Sequence, residues 1–560
     1  MLLQHQHHQY RSFHATRRTD IVPFLAVGAV TAYYSYRAYT RMESEWDDYR
    51  WQLAQYEKKR TNMDDDDDTT TITTTVAMDC GTAWTKLAAT LPREQRQQNN
   101  DDNKSSSSAI QVLITPQGYR ATFNGIVYDN NDHDDASPQR PVAVGKAALE
   151  RFWFASAKSP STDVVLPFVT TTAPTGDDDG QQHHVVQEQR MVQDVLSPIL
   201  EGALDRVGLL DDSNHPERIT RFRIVVTLPA AYYVPSTTTA GQPAAVLSAA
   251  ILQAFPATTR QDTTSSTDDD DETTRSVVLV PEAVAAVWGA QQQKLLPLDY
   301  DNDHTNNNNN ILVIDVGGWT TQVSLVRTRT DSVQHAVTIP WGGEHMVQSI
   351  VEQLLEVAND DDNTTNAGKD VQNDARALAL LQLEARQVLT AFASQDRVNV
   401  LVPYLFSDPG NHNFETQLSR ETFHRAVDHS ILQQQQQHAA NDTDNTSTTT
   451  TYLSSSMPPP KDLSSLWISA LARVLEDAQI VVPRQELFRI LVVGGGSNAV
   501  VVQESLRSAI QLLVGPSVML DDDLLVWPDT MELSTELTVL GAASLPPSFD
   551  YSLTDGLVPR

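Results

Sequence analysis

The sequence predicts an α/β fold, and three observations lead to this prediction. First, brief β-branched apolar runs bounded by Gly, Pro or polar residues are typical of buried strands. These runs are Val76–Met78, Ile224–Thr227, Val277–Val280, Ile311–Ile314 and Ile490–Val493. Second, helix-patterned segments such as 375–393 lie between them, which is the alternation found in α/β proteins. Third, several of the runs lead into glycine-containing turns of the kind that bind phosphate.

Length and composition exclude some classes of function. The chain has 560 residues, a formal net charge of −32 and one cysteine. The acidic balance argues against nucleic acid as a partner, because phosphate backbones are bound by dense Lys/Arg surfaces. The single cysteine, Cys80, excludes an intrachain disulfide and a cysteine-based zinc site. We therefore expect packing to hold the fold together.

The N-terminus predicts a targeting segment and a membrane anchor. Residues 1–19 include three arginines and no acidic residue, which is typical of an organelle transit peptide. From Ile21 to Tyr36 the chain is almost wholly apolar, although shorter than the ~20 residues that span a bilayer. We expect a targeting segment at 1–20, a membrane helix at 21–37 and a stalk at 38–75. A mitochondrial membrane is favoured, and the secretory pathway or endoplasmic reticulum is the alternative.

Low-complexity stretches interrupt the patterned segments. They include Asp268–Asp271, Asn306–Asn310, Gln433–Gln437 and Thr448–Thr451. Such compositions cannot fill a core. Because the entropy of closing a loop grows slowly with its length, we expect all of them to be surface-loop insertions.

Three glycine turns carry the candidate chemistry. The first strand leads into DCGTAWTK at 79–86, and the strand at 311–314 leads into DVGGWTTQ at 315–322. In each, a strand-terminal aspartate could hold Mg²⁺ through water while the amides after the glycine face phosphate oxygens. The third turn, GGGSN at 494–498, precedes a helix-like segment at 501–512 and lets backbone approach a nucleotide closely. Two Asp-x-Gly turns and a glycine-rich turn in this order indicate phosphate binding much more strongly than one would.

In this order the motifs resemble those of the actin-like ATPase superfamily, and within it the heat shock protein 70 family. Further segments continue the resemblance in the same order, from residue 76 to about 547. They are PVAVGKAA at 141–148, TLPA at 227–230, PEAVAAVWG at 281–289, GGE at 342–344, LEARQVLT at 383–390, FETQLSRETF at 414–423 and 536–543.

The resemblance implies a two-lobed actin-like fold with duplicated mixed sheets flanked by helices. Lobe I is then expected at 76–290, lobe II at 311–547 and a tail at 548–560. The full-length chaperones carry a peptide-binding domain after the ATPase, and the residues after the last match are too few for one. We therefore expect the truncated type, which has the nucleotide-binding domain only.

The resemblance also implies a site for ATP or ADP with Mg²⁺. Asp79 and Asp315 would orient the hydrated magnesium and the attacking water, and Lys158 would neutralise the transferred phosphoryl group. Positioning and electrostatics of this kind are the usual means of phosphoryl transfer. The remaining nucleotide contacts are expected at Gly81, Thr82, Ala83, Gly317, Gly318, Thr320, Gly342, Gly343, Glu344, Arg386, Thr390, Gly495, Gly496 and Ser497.

The chain departs from the family at several of these points. Where the family has a third glycine and a later aspartate, this chain has Trp319 and Gln322. The connecting-helix glutamate of the family falls on Val280, and Glu282 lies two residues on. Two adenine-stacking arginines are replaced by Gln387 and Ala499, which removes about 0.5–2 kcal/mol each. Weak ATP binding and weaker hydrolysis follow.

We therefore expect a membrane-anchored, chaperone-like ATP-binding protein with slow ATPase activity that works through a co-chaperone or exchange factor. An alternative is a catalytically inactive nucleotide-binding scaffold of the same fold, which the substitutions at 319, 322 and 280 favour. A third reading is a small-molecule kinase of the same superfamily. Phosphate release separates the first two, and transfer to an acceptor would show the third.

Overall fold

The structure is a computed structural model, and the residues that it describes all lie within Thr71–Arg560. The described residues are 72–80, 84–90, 110–113, 120–123, 126–128, 141–144, 164–165, 199, 220–229, 276–296, 310–360, 371, 374–403, 405, 413–441, 458–478, 489–515, 524–546 and 549. The predicted targeting segment, the membrane helix at 21–37 and almost all of the stalk lie outside them.

The strands form two large mixed sheets and two small ones. In chain order they are β1 Ile72–Cys80, β2 Trp84–Thr90, β3 Ile110–Leu113, β4 Thr122–Phe123, β5 Ile126–Tyr128, β6 Pro141–Val144, β7 Val164–Val165, β8 Thr220–Leu228, β9 Ser276–Pro281, β10 Asn310–Val316, β11 Thr321–Arg327, β12 Ser332–Ile339, β13 Arg397–Pro403, β14 Asn413–Ser419, β15 Arg489–Val493 and β16 Leu525–Val526. Each strand predicted from an apolar run is present and is at least as long as predicted.

The two large sheets repeat one topology. The first has the order β3-β2-β1-β8-β9, with β4 also paired to β2, and the second has the order β12-β11-β10-β15-β16. In both, the middle strand pairs antiparallel with the next strand in the chain and parallel with a later one. This duplication of mixed sheets flanked by helices fits the actin-like fold that the motifs predicted.

Seven helices are described in full, and most of them cover the faces of these sheets. They are α1 Glu282–Gln292, α2 Gly343–Asp360, α3 Ala375–Ala391, α4 Arg420–Asn441, α5 Leu463–Asp477, α6 Val500–Val514 and α7 Met531–Ser544. Side chains cap three of the starts: Asp374 accepts from two amides of α3, Asp462 forms a capping box with Ser465, and Thr530 accepts from an amide of α7. Such caps satisfy amides that have no partner within the helix.

Helices α1 and α7 cross in close contact and connect the two sheets. A Cβ on Gly289 would overlap the carbonyl of Leu537, and one on Gly541 would overlap the carbonyl of Ala285. Glycine at both positions is therefore what allows the backbones to approach. One apolar cluster joins residues of both helices to Ala77 of β1 and to strands of the second sheet.

Two sequence predictions need comment. The glutamines at Gln433–Gln437 form part of α4 instead of a loop, so that prediction is wrong. Glutamine is a good helix former, and composition alone does not show this. None of the described helices is long and apolar enough to cross a membrane. The predicted anchor at 21–37 is not among the residues described.

Candidate functional site

The site is built around the carboxyl ends of the two middle strands. Asp79 is near the end of β1 and Asp315 is near the end of β10, so the repeated topology gives the two aspartates equivalent positions. Asp79 pairs in register with Lys86 and Thr227 on the flanking strands, and Asp315 pairs with Gln322 and Val493. The strands that flank the two turn motifs therefore pair in the same register.

Asp79 is buried and held by contacts on both sides. Its Oδ1 accepts a hydrogen bond of 2.8 Å from the hydroxyl of Thr227, and its Oδ2 lies 3.6 Å from the ammonium of Lys86. The same ammonium donates to the backbone carbonyl of Thr535 on α7. A basic residue thus stands beside the first predicted magnesium ligand.

Asp315 lies close enough to Asp79 for the two charges to interact. Displacement of water by the surrounding protein, together with the charge of Asp79, raises the pKa of Asp315 to about 6, and the charge of Lys86 opposes the shift. A carboxyl with such a pKa exchanges protons near neutral pH, as groups at functional sites often do. The structure therefore brings together the two aspartates that the sequence predicted.

Glu282 completes a carboxylate cluster with Asp79 and Asp315. It is the first residue of α1, is buried, and accepts a hydrogen bond of 3.1 Å from the side-chain amide of Gln322. Burial raises the pKa of Glu282 well above its usual value, and the charges of Asp315 and Asp79 add to the shift. Glu282 therefore does reach the site, although it is displaced by two residues from the family position.

The third glycine turn packs against Asp315. Gly494 has φ +93°, and a Cβ there would overlap the Asp315 carboxylate, so both the conformation and the space require glycine. The amide of Gly496 donates to Val316 O at 2.8 Å, and a Cβ on it would lie 2.6 Å from Val316 Cγ1. A Cβ on Gly495 would have only Thr535 Cγ2 nearby, at 3.6 Å. Gly495 is thus the position of this turn with open space beside it.

Ser497 stabilises the same turn from inside. It is fully buried, donates to Gly494 O at 2.7 Å, and lies 2.7 Å from the hydroxyl of Ser534 on α7. The hydroxyl of Ser497, a residue predicted to line the nucleotide site, is therefore engaged within the protein, and Ser497 has a structural role.

The second glycine turn is closed by its own hydrogen bonds. Gly317 N–H donates to Thr320 O at 3.0 Å, so this amide, which was predicted to face phosphate, is engaged within the turn. The amides of Gly343 and Glu344 donate to the carbonyls of Gly317 and Gly318, at 2.9 and 2.7 Å. The turn and the start of α2 therefore form one rigid unit.

Gly342 is tightly packed in that unit. A Cβ on it would lie 2.6 Å from Gly317 O and 2.8 Å from Gly318 O. Its amide donates to His345 Nδ1 at 3.1 Å, and the His345 ring packs edge to face on Trp319 with centroids 5.6 Å apart. Trp319, which replaces a family glycine, thus has a defined packing partner.

Arg386 and Glu344 form a bidentate ion pair that links α3 to α2. Arg386 donates to the two carboxylate oxygens of Glu344 at 2.8 and 2.6 Å, which is the fork geometry that makes such pairs strong. Thr390 donates back to Arg386 O at 3.0 Å. The resemblance implied these three residues as nucleotide contacts, and the structure places them together.

Buried donors remain that suit a polar ligand. Arg386 Nε and Asn498 Nδ2 are both buried without a hydrogen-bond partner among the described residues. Leaving a buried donor unpaired is unfavourable by about 1–3 kcal/mol, so an outside acceptor would stabilise the site. Both donors belong to elements of the predicted adenosine pocket, and the fit to a nucleotide is good there.

The fit to a directly bound metal is poor. Within the described parts of the chain, no three His, Cys, Asp or Glu residues are grouped so that they could hold a metal ion. Asp79 and Asp315 have the oxygen chemistry that Mg²⁺ takes, but binding through water remains a prediction. Gly81, Thr82, Ala83 and Lys158 lie outside the described residues.

Comparison with known families gives a match in the middle of this architecture. The model of the Hsp70 protein family matches residues 277–449. The chain carries an Hsp70 segment. It spans β9 to α4 and includes Asp315, Glu344 and Arg386 from the site, while Asp79 and the third glycine turn lie outside it. Over residues 277–449 the family resemblance predicted from the motifs is confirmed.

Sequence reasoning gave no role to Lys86. The signal was present, because Lys86 follows Asp79 at the same spacing at which Gln322 follows Asp315. In an antiparallel pair joined by a turn of fixed length, equal spacing places both side chains across from their aspartates. Comparing the two motifs at 79–86 and 315–322 position by position would have identified the lysine.

Proposed function

We propose that this chain is a membrane-anchored, ATP-binding Hsp70-like protein that hydrolyses ATP slowly. The observation that carries the proposal is the pair of equivalent aspartates, Asp79 and Asp315, whose charges interact at the carboxyl ends of the two middle strands. Ligands of α/β sheets bind at this end of the strands. Two converging carboxylates suit a hydrated cation and its phosphates better than an apolar ligand.

Different described residues would bind the adenosine and the phosphates of the nucleotide. Arg386, Thr390 and Gly495 would hold the adenosine, where open space beside the glycine and unpaired buried donors favour a ligand, and Ser497 would stabilise the glycine turn. When Mg²⁺ is bound it would shield phosphate charge, and Asp79 and Asp315 would hold its water molecules. The roles of Lys158 and of the amides at 81–83 rest on the resemblance alone.

Slow hydrolysis follows from the polar contacts around the carboxylate cluster. Gln322 carries no charge, and its amide is already bonded to Glu282. Catalysis of phosphoryl transfer depends on charges placed to stabilise the transition state. Replacing a carboxylate by an amide at this position weakens the hold on water and metal and leaves the binding residues in place.

The anchor and the partners belong to the same proposal. Segment 21–37 would hold the chain in a membrane, and a mitochondrial membrane is favoured over the secretory pathway. A co-chaperone or exchange factor would bind differently to the ATP-bound and ADP-bound protein. Carbonate extraction of fractionated membranes tests the anchor. Release of the full chain by carbonate, or its retention after deletion of 21–37, would reject that part of the proposal.

Calorimetry with Mg-ATP on the full chain, followed by measurement of phosphate release, tests the central claim. We expect saturable binding and slow turnover, with turnover lost in Asp315→Asn because that variant keeps the shape of the side chain and removes its charge. Absence of binding would reject the proposed function while leaving the fold unaffected.

A second function, a nucleotide-binding scaffold without turnover, is favoured by the hydrogen bond between Gln322 and Glu282 and by the pairing of Lys86 with Asp79. Both contacts engage groups that would otherwise be available to a metal and its water. Binding without phosphate release, in wild type and in Asp315→Asn alike, would identify the scaffold.

A further inference from the structure

Lys86 occupies a distinctive place in the duplicated architecture. It lies on β2 directly across from Asp79, and the equivalent position in the second sheet, across from Asp315, is occupied by neutral Gln322. Across from the aspartate of the middle strand, the first large sheet therefore has a cation and the second has a neutral amide. This asymmetry concerns the two residues directly across from the predicted magnesium ligands.

The ammonium of Lys86 acts on several carboxyl groups. It lies 3.6 Å from Asp79 Oδ2, and its charge lowers the pKa values of Asp315, Glu282 and Glu536 against the effect of burial. The lysine side chain is only 17% exposed, so water screens these interactions poorly. One ammonium thus supplies positive charge to the carboxylate cluster, whereas Glu536 on α7 is paired mainly with Arg120.

The ammonium still has capacity to bind an anion. Lysine has three N–H donors, and among the described residues Lys86 makes one hydrogen bond, to Thr535 O, and one ion pair. At 3.6 Å the ion pair with Asp79 is longer than the ~2.7–2.9 Å of a charge-assisted hydrogen bond. A phosphate oxygen next to Asp79 could therefore be bound without breaking a strong contact.

We propose that Lys86 is the cation of the nucleotide site, taking over charge neutralisation that a divalent metal would otherwise supply, so that ATP binds with little dependence on Mg²⁺. The inference rests on the proposed ATP binding and extends it. Lys86 is then the residue that determines whether the site accepts ATP without bound Mg²⁺.

The test is calorimetry of ATP binding to the full chain in excess Mg²⁺ and in EDTA. We expect the two dissociation constants to agree within about threefold in the wild type. In Lys86→Met we expect binding in EDTA to weaken about tenfold or more, as loss of a hydrogen bond to a charged group implies. Mg²⁺ should restore much of that loss. Lys461→Met removes an exposed lysine elsewhere and should leave both constants unchanged.

Each outcome decides the inference. Binding in Mg²⁺ but not in EDTA by the wild type overturns it and leaves the proposed function intact, whereas no binding in either condition rejects the proposed function itself. Equal affinities of wild type and Lys86→Met in EDTA also overturn it. If Lys86→Met unfolds in a thermal melt, Lys86→Arg and the charge-balanced Asp79→Asn/Lys86→Met pair replace it, and the wild-type comparison still stands.

Discussion

The side-chain amide of Gln322 on β11 donates a hydrogen bond of 3.1 Å to Glu282 at the start of α1. The bond joins the second large sheet to the helix that follows the first, and both partners are buried. It also occupies the position at which the family carries an aspartate. The residue across from Asp315 therefore links the second large sheet to α1.

Gln322→Leu removes that link and leaves Glu282 without its partner. We expect the free energy of unfolding to fall by about 1–3 kcal/mol, the effect of leaving a buried polar group unsatisfied. Urea unfolding at neutral pH measures it. The matched control is Gln417→Leu, whose amide bonds to Asn399 on an exposed face and should matter by less than about 0.5 kcal/mol. Equal losses of unfolding free energy in the two variants would show that the buried hydrogen bond to Glu282 contributes no more than the exposed one to Asn399.

His345 gives a pH dependence whose sign can be worked out. Burial lowers its pKa to about 4, whereas an unfolded chain has a histidine pKa near 6.5. Between these values the unfolded chain binds a proton that the folded chain does not, so stability is complete above about pH 6.5 and falls as the pH drops toward 4. Asp315, with its pKa raised to about 6, acts in the opposite direction over part of this range.

The prediction therefore concerns how the pH dependence of stability differs between the wild type and a variant at His345. His345→Asn keeps an acceptor for Gly342 N–H and does not titrate, so the fall in stability from pH 6.5 to 4 should be smaller than in the wild type by up to about 3 kcal/mol. Chemical denaturation across this range measures it. Around pH 8 the difference in stability between the two proteins should no longer change with pH, because His345 is neutral in both the folded and the unfolded wild type. Parallel curves down to pH 4 would mean that His345 becomes charged in the folded protein.

The sequence predicted those parts of the fold that depend on local pattern. The strand that ends at Asp79 and the one that ends at Asp315 are visible as β-branched runs followed by a glycine turn, and the structure contains both. The resemblance then supplied the meeting of the two aspartates, which no local signal gives. Helix α3 was also predicted, from the helix-patterned segment at 375–393.

What escaped prediction depends on contacts between distant segments. Lys86 meets Thr535, a residue far along the chain on α7, and no spacing near either residue indicates this. Glu282 reaches Gln322 because of the way α1 leaves β9, so an ungapped alignment on Val280 misjudged its role. The helix at Gln433–Gln437 was missed because low complexity was given more weight than helix propensity.

Gly495→Ala separates ligand binding from folding. A Cβ there would meet only Thr535 Cγ2, at an ordinary 3.6 Å, so we expect stability within about 1 kcal/mol of wild type. If the bound nucleotide contacts the main chain at Gly495, the added methyl group should lower the affinity for ATP roughly tenfold or more. Gly541→Ala is the contrasting variant, since its Cβ would overlap Ala285 O and should destabilise the fold by about 3 kcal/mol or more. Unchanged ATP affinity in a folded Gly495→Ala would place the ligand elsewhere.

Arg386→Lys tests the fork that joins α3 to α2. Lysine keeps the charge but cannot make both hydrogen bonds to Glu344, so we expect stability to fall by about 1–2 kcal/mol. A double-mutant cycle with Glu344→Gln should give a coupling of about 0.5–3 kcal/mol, the range for residues in contact. Arg425→Lys alters a long, exposed pair with Glu421 and should have almost no effect.

The same cycle, repeated with saturating ATP, shows whether Arg386 also serves the nucleotide. Its Nε is buried without a partner among the described residues, so a bound nucleotide that accepts from it would add a loss specific to Arg386→Lys. ATP affinity should then fall several-fold in Arg386→Lys, while Glu344→Gln changes stability more than affinity. Equal affinity losses in both single variants would mean that the ion pair acts only by holding α2 and α3 together.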